Sequence, residues 1–346
     1  MMNIPALEKA RRKVHALRRR VAPSALVLSY HRVTELPSDP YALCVTPQRF
    51  AQQLQAVRER GKPMRLQDLI AALARGRLPR RAVAVTFDDG YADNLHHAKP
   101  LLERHNVPAT VFVTTGAVEM VREFWWDELQ QVLLQPGRLP ETLEWCVNGT
   151  VDKFELAEAA EYTEAEQRTH RDWNLGRRDN PSRRHEAFRL LYHQLRPLAV
   201  TDKRRMLDQL ANRVGSKLTV RATHRGLSRD EVIRLAEGGL MEIGGHTVSH
   251  TPLTSLAADV QRWEIQQNKA FLQELLGQPV TGLAYPHGLF TPETVAIARE
   301  SGFTCACATT PNAVRRGADC FALPRMPVQD WSGDQLAERL DKWFDV

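Results

Sequence analysis

The sequence predicts an α/β fold built on parallel strands. Short apolar runs alternate with amphipathic helical stretches along much of the chain, and the polar motifs directly follow the ends of apolar runs. Strand, helix and strand in close succession are typical of a parallel βαβ unit. Functional side chains at the C-terminal ends of strands are typical of a parallel barrel. A doubly wound sheet would show the same alternation, so periodicity leaves both architectures open.

The first predicted strand runs from Ala25 to Tyr30, and His31 follows its C-terminal end. A second apolar run, Ala82 to Val85, leads into the motif that dominates the sequence. Amphipathic spacing and glycine stops predict the helices, and β-branched runs predict the strands. The other predicted elements are helices 46–61, 66–75, 93–106, 228–237, 256–276 and 292–301, and strands 108–113, 241–245, 281–284 and 303–308.

Residues 119–225 have a different character, because they are charged and lack β-branched runs. Helical stretches are predicted at 123–134, 164–175, 183–195 and 202–214. We interpret this segment as a helical insertion on the functional rim, where it could act as a lid.

The N-terminal segment 1–23 carries the positive charge of the chain. It holds seven Lys or Arg residues against Glu8 alone, which equals the net charge of +6 of the whole protein. The remainder is balanced, which argues against a general nucleic-acid-binding surface. Asn3 and Pro5 suit a helix start, and an apolar stripe follows at Ile4, Leu7, Val14, Leu17 and Val21.

This basic amphipathic helix has two interpretations. Residues 4–21 either rest on an anionic membrane surface or dock on the domain with a solvated basic face. The apolar run Ala25–Leu28 is too short for a signal-peptide core, and Pro23 precedes it. We therefore expect a cytoplasmic protein, in the first case at the inner face of the membrane.

The motif Thr86-Phe87-Asp88-Asp89-Gly90-Tyr91 follows the second strand. Neighbouring side chains of an extended segment point to opposite faces, so Asp88 and Asp89 can have different environments and roles. Carboxylates at a buried strand end need hydrogen bonds, a pKa shift or a cation. An Asp-Gly hairpin turn is the alternative, but residues 91–95 resemble a helix start and not a returning strand.

A second constellation, His246-Thr247-Val248-Ser249-His250, follows predicted strand 241–245. In a helical or turn-like segment, residues four apart lie on one face, so both imidazoles can reach one ion. A histidine pair is otherwise a structural feature, but here a carboxylate at another strand end can supply a third ligand. Two histidines and one carboxylate, with a position left for water, are typical of a catalytic divalent-metal site.

These motifs resemble those of the polysaccharide deacetylases (NodB homology domain, carbohydrate esterase family 4). The first family motif is similar to Thr86–Gly90, and the second, His-(Ser/Thr)-x-x-His, is similar to His246–His250. The third, Arg-x-Pro-Tyr-Gly, is similar to Ala284-Tyr285-Pro286-His287-Gly288. The resemblance covers residues 25–115 and 228–346, and leaves the middle of the chain outside it.

The resemblance implies a distorted, incomplete TIM-like (β/α) barrel with a helical insertion. The predicted organisation is an N-terminal helix at 1–23, a barrel at 24–118 and 226–346, and the insertion at 119–225. It also implies a divalent metal, zinc by default with cobalt, nickel or iron as alternatives, held by Asp89, His246 and His250.

The remaining catalytic roles are implied by the same resemblance. Asp88 would act as general base on the water, and the backbone N–H of His287 would help the metal to stabilise the oxyanion. His31 would protonate the leaving amine, because Tyr30–Val33 resembles the start of a subgroup that lacks the late Leu-x-His motif. This chain lacks that motif as well.

The predicted substrate-binding residues are Tyr91, Tyr285, Pro286, His287, Asp330 and Trp331. Ala284 replaces the family's motif-three arginine, and Arg325 is predicted to restore a positive charge near Asp88. A plain strand end and a surface turn are the alternatives for Arg325 and for Asp330-Trp331. The aromatic run Phe124–Trp126 either stacks on sugar rings or, as we favour, fastens the insertion to the barrel.

Three functions compete at this point. The first is a metal-dependent N-deacetylase acting on amino-sugar units of a polysaccharide or a lipid-linked glycan. The second is a deformylase or other N-deacylase on a lipid-linked sugar. The third, a catalytically silent glycan-binding or assembly protein, has no need for the complete set Asp88, Asp89, His246 and His250.

Overall fold

The computed structural model describes residues 24–119, 122–147 and 149–345. The predicted N-terminal helix 1–23 lies outside these residues, and its contact with a membrane stays a prediction. None of the described helices is both long and apolar enough to cross a bilayer.

The strands vary from two to seven residues in length. In chain order the described strands are β1 (Ser24–Tyr30), β2 (Arg32–Val33), β3 (Cys44–Val45), β4 (Lys62–Pro63), β5 (Ala82–Phe87), β6 (Ala109–Val113), β7 (Gly137–Arg138), β8 (Thr142–Val147), β9 (Thr150–Glu155), β10 (Glu161–Tyr162), β11 (Met241–Gly245), β12 (Gly282–Ala284), β13 (Cys305–Cys307), β14 (Val314–Arg315) and β15 (Met326–Pro327).

The described α-helices are α1 (Pro47–Arg60), α2 (Leu66–Ala74), α3 (Lys99–His105), α4 (Trp125–Leu133), α5 (Glu164–Thr169), α6 (Arg183–Leu195), α7 (Val200–Arg213), α8 (Arg229–Ala236), α9 (Ala258–Leu276), α10 (Pro292–Glu300) and α11 (Gly333–Asp345). A π-helical turn, Asn94–Ala98, precedes α3. Short 3₁₀ turns lie at Thr115–Ala117, Ala157–Ala160, Leu253–Ser255 and Pro286–Gly288.

The main sheet is parallel except for its edge strand β14, which pairs antiparallel with β1, and it curls back on itself. Its strands lie in the order β1-β5-β6-β11-β12-β13, and each neighbouring pair is parallel. The segment Leu323–Pro327 joins the two edges, because Leu323 pairs with Cys307 of β13 while Met326 pairs with Leu28 of β1. The predicted α/β barrel is thus confirmed, with a short irregular segment completing seven strand positions where a TIM barrel has eight.

The central strands are apolar on both faces because both faces are covered. Leu26 and Leu28 of β1 pack in the large cluster with the surrounding helices, whereas Ala25 and Val27 pack in a second cluster that includes Phe112. Burial of both faces explains why these strands read as near-continuous apolar runs instead of alternating with polar residues.

The segment 119–225 builds its own core around Trp145, Phe188 and Leu207, which Tyr91 and Ala117 of the barrel join. It contains helices, as predicted, and in addition an antiparallel hairpin of β8 and β9 that was not predicted. The start of β8 alternates polar and apolar residues in the sequence. The structure follows this period of two, since Leu143 and Trp145 are buried while their neighbours in β8 are more exposed. The Asn148-Gly149 pair, a preferred hairpin turn, was the signal that the sequence reading missed.

A chain of hydrogen bonds fastens this segment to the barrel. The Trp126 indole N–H donates to the Tyr91 hydroxyl at 2.8 Å, which donates to Asp127 Oδ2 at 2.7 Å. Burial raises the pKa of Asp127 to about 7, although Arg32 and the Tyr91 hydrogen bond oppose this shift. The carboxyl group therefore retains its proton in the folded state to a much higher pH than it does in the unfolded chain.

We expect the free energy of unfolding to fall as the pH rises from about 4 to about 7, because only the folded state keeps the Asp127 proton in this range. Asp127→Asn should remove this part of the slope, since the amide does not titrate. Urea unfolding at several pH values measures the effect, with Asp172→Asn as the control because the Asp172 side chain is 84% exposed. An unchanged slope in Asp127→Asn would show that another group is responsible.

Candidate active site

A cavity of about 330 Å³ opens at the C-terminal ends of the barrel strands. Its floor is polar and comes from the barrel, while much of its upper wall is apolar or aromatic and comes from residues 41–43 and the insertion. The lining residues are His31, Tyr41, Leu43, Asp88, Asp89, Trp126, Leu175, Gly176, Tyr192, His246, His250, His287 and Thr309. Strand ends meeting at one rim explain how residues distant in sequence share this floor.

Asp89, His246 and His250 lie together on this floor. Asp89 Oδ1 is 3.5 Å from His246 Nε2 and 3.3 Å from His250 Nε2. All three side chains are buried, and one ligand atom from each lies within 4.8 Å of the others. Asp89 Oδ1 has no hydrogen-bond partner among the described residues, which is costly for a buried carboxylate unless a cation satisfies it. The three residues therefore fit a divalent metal.

The two imidazoles are prepared to act as ligands. His246 Nδ1 lies 2.7 Å from the carbonyl oxygen of Ala284, which can only accept, so Nδ1 carries a proton and Nε2 faces the site as the ligand atom. Burial lowers the pKa of His246, but Asp88 and Asp89 outweigh it and raise that pKa. Burial, together with His287 and His246, lowers the pKa of His250 well below its usual value. His250 is therefore neutral, the form that a metal ligand requires.

The backbone around these ligands is bent into unusual conformations. Gly90 has φ 82°, as its place in a sharp turn predicts, but Asp89 also has φ 73°. Thr247 and His250 have φ 64° and 55°, so the His246–His250 segment is an irregular loop and not a helical turn. Positive φ at non-glycine residues is uncommon and clusters at functional sites.

Asp88 points to a different partner from that of Asp89. Arg325 donates two hydrogen bonds to it, from Nη1 to Oδ1 and from Nη2 to Oδ2, both at 2.7 Å. Burial alone would raise the pKa of Asp88, but Arg325 and His246 lower it to about 2. Arg325 reaches this position because it belongs to the segment that closes the barrel between β13 and β1. Arg325 thus places a guanidinium beside Asp88. The position of the family's motif-three arginine is held in this chain by Ala284.

His31 lies on the solvent side of Asp88. Its Nε2 is 4.0 Å from Asp88 Oδ2, and its side chain is 28% exposed. Asn94 donates to the His31 carbonyl at 2.9 Å, and the Asp93 carboxylate accepts from Arg32 Nε and from the Val33 amide, each at 3.0 Å. Asp93 precedes the π-helical turn Asn94–Ala98 but makes no side-chain cap bond there, and its carboxylate anchors the segment that carries His31.

His287 also reaches the cavity. Its ring centroid is 4.7 Å from that of His250, and its buried Nε2 has no hydrogen-bond partner among the described residues. Its φ of 57° departs from the 3₁₀ turn in which it lies.

The other predicted substrate-binding residues do not line the cavity. Tyr91 and Tyr285 are fully buried, and their hydroxyls bond to Asp127 and to the Phe321 carbonyl, so both serve in packing. Three more residues lie outside the lining: Pro286, Asp330 and Trp331. This cavity therefore does not support a substrate contact for these five residues, and that role stays a prediction.

Asp330 and Trp331 have structural partners elsewhere. Asp330 accepts hydrogen bonds from the amide and the hydroxyl of Thr46, the residue before α1. Trp331 lies under Arg339 and against Trp343 of α11. The interpretation of this pair as a surface turn therefore describes it better.

Several cavity residues were missed by sequence reasoning. Tyr41, Leu43, Tyr192 and Thr309 belong to no motif, and no sequence signal marked them. Trp126 unites both interpretations of the aromatic run, because it is buried in the core of the insertion and also packs on the His250 ring, with the centroids 4.9 Å apart.

Comparison with known proteins agrees with this geometry. Residues 75–137 and 207–306 match the polysaccharide deacetylase family, a range that includes Asp88, Asp89, His246 and His250. The poly-beta-1,6-N-acetyl-D-glucosamine N-deacetylase of Staphylococcus epidermidis is 31% identical over 110 residues, which cover 28% of this chain and 37% of that protein. The chain thus spans little more than a third of the curated relatives that it matches.

Solved structures share the fold over almost the whole chain. The deacetylase PplD of Streptococcus pyogenes, in complex with acetate, superposes with a TM-score of 0.58 at 18% identity, covering 92% of this chain and 99% of its own. IcaB of Ammonifex degensii gives a TM-score of 0.56 at 21% identity, covering 94% and 98%. The family match falls on strands and loops that build the cavity floor, and over these residues the chain is similar to the polysaccharide deacetylase family.

Proposed function

We propose that this protein is a metal-dependent N-deacetylase that acts on N-acetylated amino-sugar units of a polysaccharide. The single observation that carries the proposal is the convergence of Asp89, His246 and His250 on one point, with a second acid, Asp88, on the same floor. The relative from Staphylococcus epidermidis, whose name specifies poly-β-1,6-N-acetylglucosamine, makes that polymer the first substrate to test.

Asp89, His246 and His250 would hold the metal, and zinc is the first candidate because two imidazoles and a carboxylate suit it. When bound, such an ion supplies Lewis-acid chemistry, lowering the pKa of water and polarising the acyl carbonyl. The chain's own residues must then move the protons and orient the amide.

Asp88 would accept the proton from the attacking water. Arg325 keeps it ionised and holds both of its oxygens in fixed positions. His31, 4.0 Å from Asp88 and partly exposed, can give a proton to the nitrogen as the C–N bond breaks. The amide is hydrolysed in this way to acetate and a free amine on the sugar.

A second candidate is an N-deacylase that removes another acyl group from a lipid-linked sugar. The side chains of Leu43 and Leu175 favour this candidate, because they make part of the cavity wall apolar. The silent glycan-binding alternative is disfavoured, because binding alone gives no reason to bury Asp88, Asp89, His246 and His250 together.

The proposal predicts that purified protein contains about one divalent metal ion per chain and releases acetate from β-1,6-linked N-acetylglucosamine oligomers. Chelation should abolish the release, and added zinc should restore it, because the ion supplies the Lewis acid. Metal analysis and enzymatic assay of acetate measure both effects. N-formylated oligomers and lipid-linked sugars serve as comparison substrates. Metal-free protein with undiminished hydrolysis, or loaded protein inactive on every substrate, would contradict the proposal.

A further inference from the structure

The loop His246–His250 is held from outside by helix α9 and by the segment 114–116, where the Thr115 and Gly116 amides donate to the Thr247 and Val248 carbonyls. Glu264 of this helix accepts hydrogen bonds on Oε2 from the amides of Val248 and Ser249, at 2.8 and 2.9 Å. Its Oε1 accepts from the Ser249 hydroxyl at 2.5 Å. Glu264 is only 5% exposed, so these bonds form away from bulk water, where charge-assisted hydrogen bonds are strong.

Asn268 lies one turn further along α9 and holds the other side of the loop. Its side-chain amide donates to the carbonyl oxygens of Thr247 and Val113, at 2.7 and 2.9 Å, and lies 3.2 Å from Thr115 Oγ1. Residues four apart on a helix share one face, so Glu264 and Asn268 act on the loop together. The Glu264 carboxylate accepts from N–H groups of the loop, and the Asn268 amide donates to a carbonyl group of the loop.

This loop needs external support to present its ligands. Thr247 and His250 both have positive φ, a conformation that their side chains disfavour. Within the loop, the His250 amide donates to Thr247 Oγ1 at 3.2 Å. If the loop relaxed, His250 Nε2 would leave its position 3.3 Å from Asp89, and two ligands would no longer meet.

The insertion contributes a positive charge near this support. Lys203 of α7 is fully buried, and its ammonium group has no hydrogen-bond partner among the described residues. Burial lowers the pKa of Lys203 to about 8, against the attraction of the Glu264 carboxylate.

We propose that Glu264, with Asn268, is a positioning residue that holds the His246–His250 loop in its metal-binding conformation. This inference rests on the proposed metal site and adds to it a requirement outside the ligand set. Neither Glu264 nor Asn268 lines the cavity or touches the reacting atoms. Their effect should therefore appear first in the affinity for metal.

The test measures zinc affinity of the metal-free full-length protein by competition with a chromogenic chelator. Glu264→Ala should weaken zinc binding about 10- to 100-fold, the range found for groups that orient metal ligands. Glu264→Gln, which keeps an acceptor oxygen, should recover most of the affinity. Glu274→Ala is the matched control, because Glu274 is an exposed residue of the same helix.

The outcomes separate the two proposals. Wild-type protein that binds no zinc would overturn the metal site itself, whatever the variants do. Wild-type binding combined with equal affinity in Glu264→Ala and Glu274→Ala would overturn only the positioning role. A lower melting temperature with unchanged zinc affinity would mean that Glu264 merely stabilises the fold, and would also overturn it.

A second variant keeps the test decisive if Glu264→Ala does not fold. Ser249→Ala removes the hydroxyl that donates to Glu264 Oε1. This variant truncates a neutral side chain, so it does not leave a buried charge without its partner charge. We expect a several-fold loss of zinc affinity from this variant. An affinity equal to that of the wild type would overturn the inference.

Discussion

Asp88→Asn is expected to lower kcat for acetate release by about 10²- to 10⁴-fold, the usual contribution of a general base. The amide cannot accept a proton, so the attacking water loses its base. The ligand atoms of Asp89, His246 and His250 are untouched by this change, so the metal content should stay close to that of the wild type.

Two measurements distinguish Asp88 from its neighbour. Acetate release gives kcat, and metal analysis of the same sample gives occupancy, with melting temperature as a check on folding. Asp89→Asn is the matched variant, and it should lose metal and activity together. Loss of metal from Asp88→Asn, or retention of wild-type kcat, would show that the two carboxylates have been assigned the wrong roles.

Arg325→Met should reduce the free energy of unfolding by about 3–5 kcal/mol, because it leaves the buried Asp88 carboxylate without its partner. Arg325 is fully buried and Asp88 is 2% exposed, so little water can replace the two lost hydrogen bonds. Urea unfolding at neutral pH measures the change. Arg299→Met is the control, since its ion pair with Asp319 is about half exposed and should contribute less than about 1 kcal/mol.

The same pair predicts an acid dependence. The folded pKa of Asp88, about 2, lies below its ordinary value of 3.8, so the stabilisation is complete above about pH 4 and is lost as the pH falls towards 2. Arg325→Met should lack this loss, because the pKa of Asp88 is no longer held down. A variant as stable as the wild type, with the same acid dependence, would mean that the pair contributes nothing.

The barrel elements could be predicted from the sequence because their signals are local. The predicted strand 241–245 has the observed bounds of β11, and predicted helix 256–276 differs from α9 by two residues at its start. Hydrophobic periodicity and the residues that start or stop a helix depend only on nearby positions in the chain. They can therefore be recognised without knowledge of the tertiary structure. The hairpin β8–β9 was not predicted, because its period-two pattern lies among charged residues and no element was assigned to 142–155.

The roles of individual side chains were harder to predict. Tyr91 follows the first motif directly, yet its hydroxyl is used to fasten the insertion. Trp331 has the residue type of a sugar-binding wall, yet it packs against α11. Adjacency in the chain does not decide which way a side chain points once loops fold over the rim.

By itself, the sequence determined the α/β class, the strand ends and the choice of Asp88, Asp89, His246 and His250, since strand-end motifs carry their chemistry in consecutive residues. Only the tertiary structure decided between Arg325 beside Asp88 and Arg325 at a plain strand end, and only it revealed that α9 helps to hold the metal loop. Arg325 is 237 residues from Asp88 in the chain, and barrel closure brings them into contact. Contacts over such separations depend on how the whole sheet curls, which no local pattern encodes.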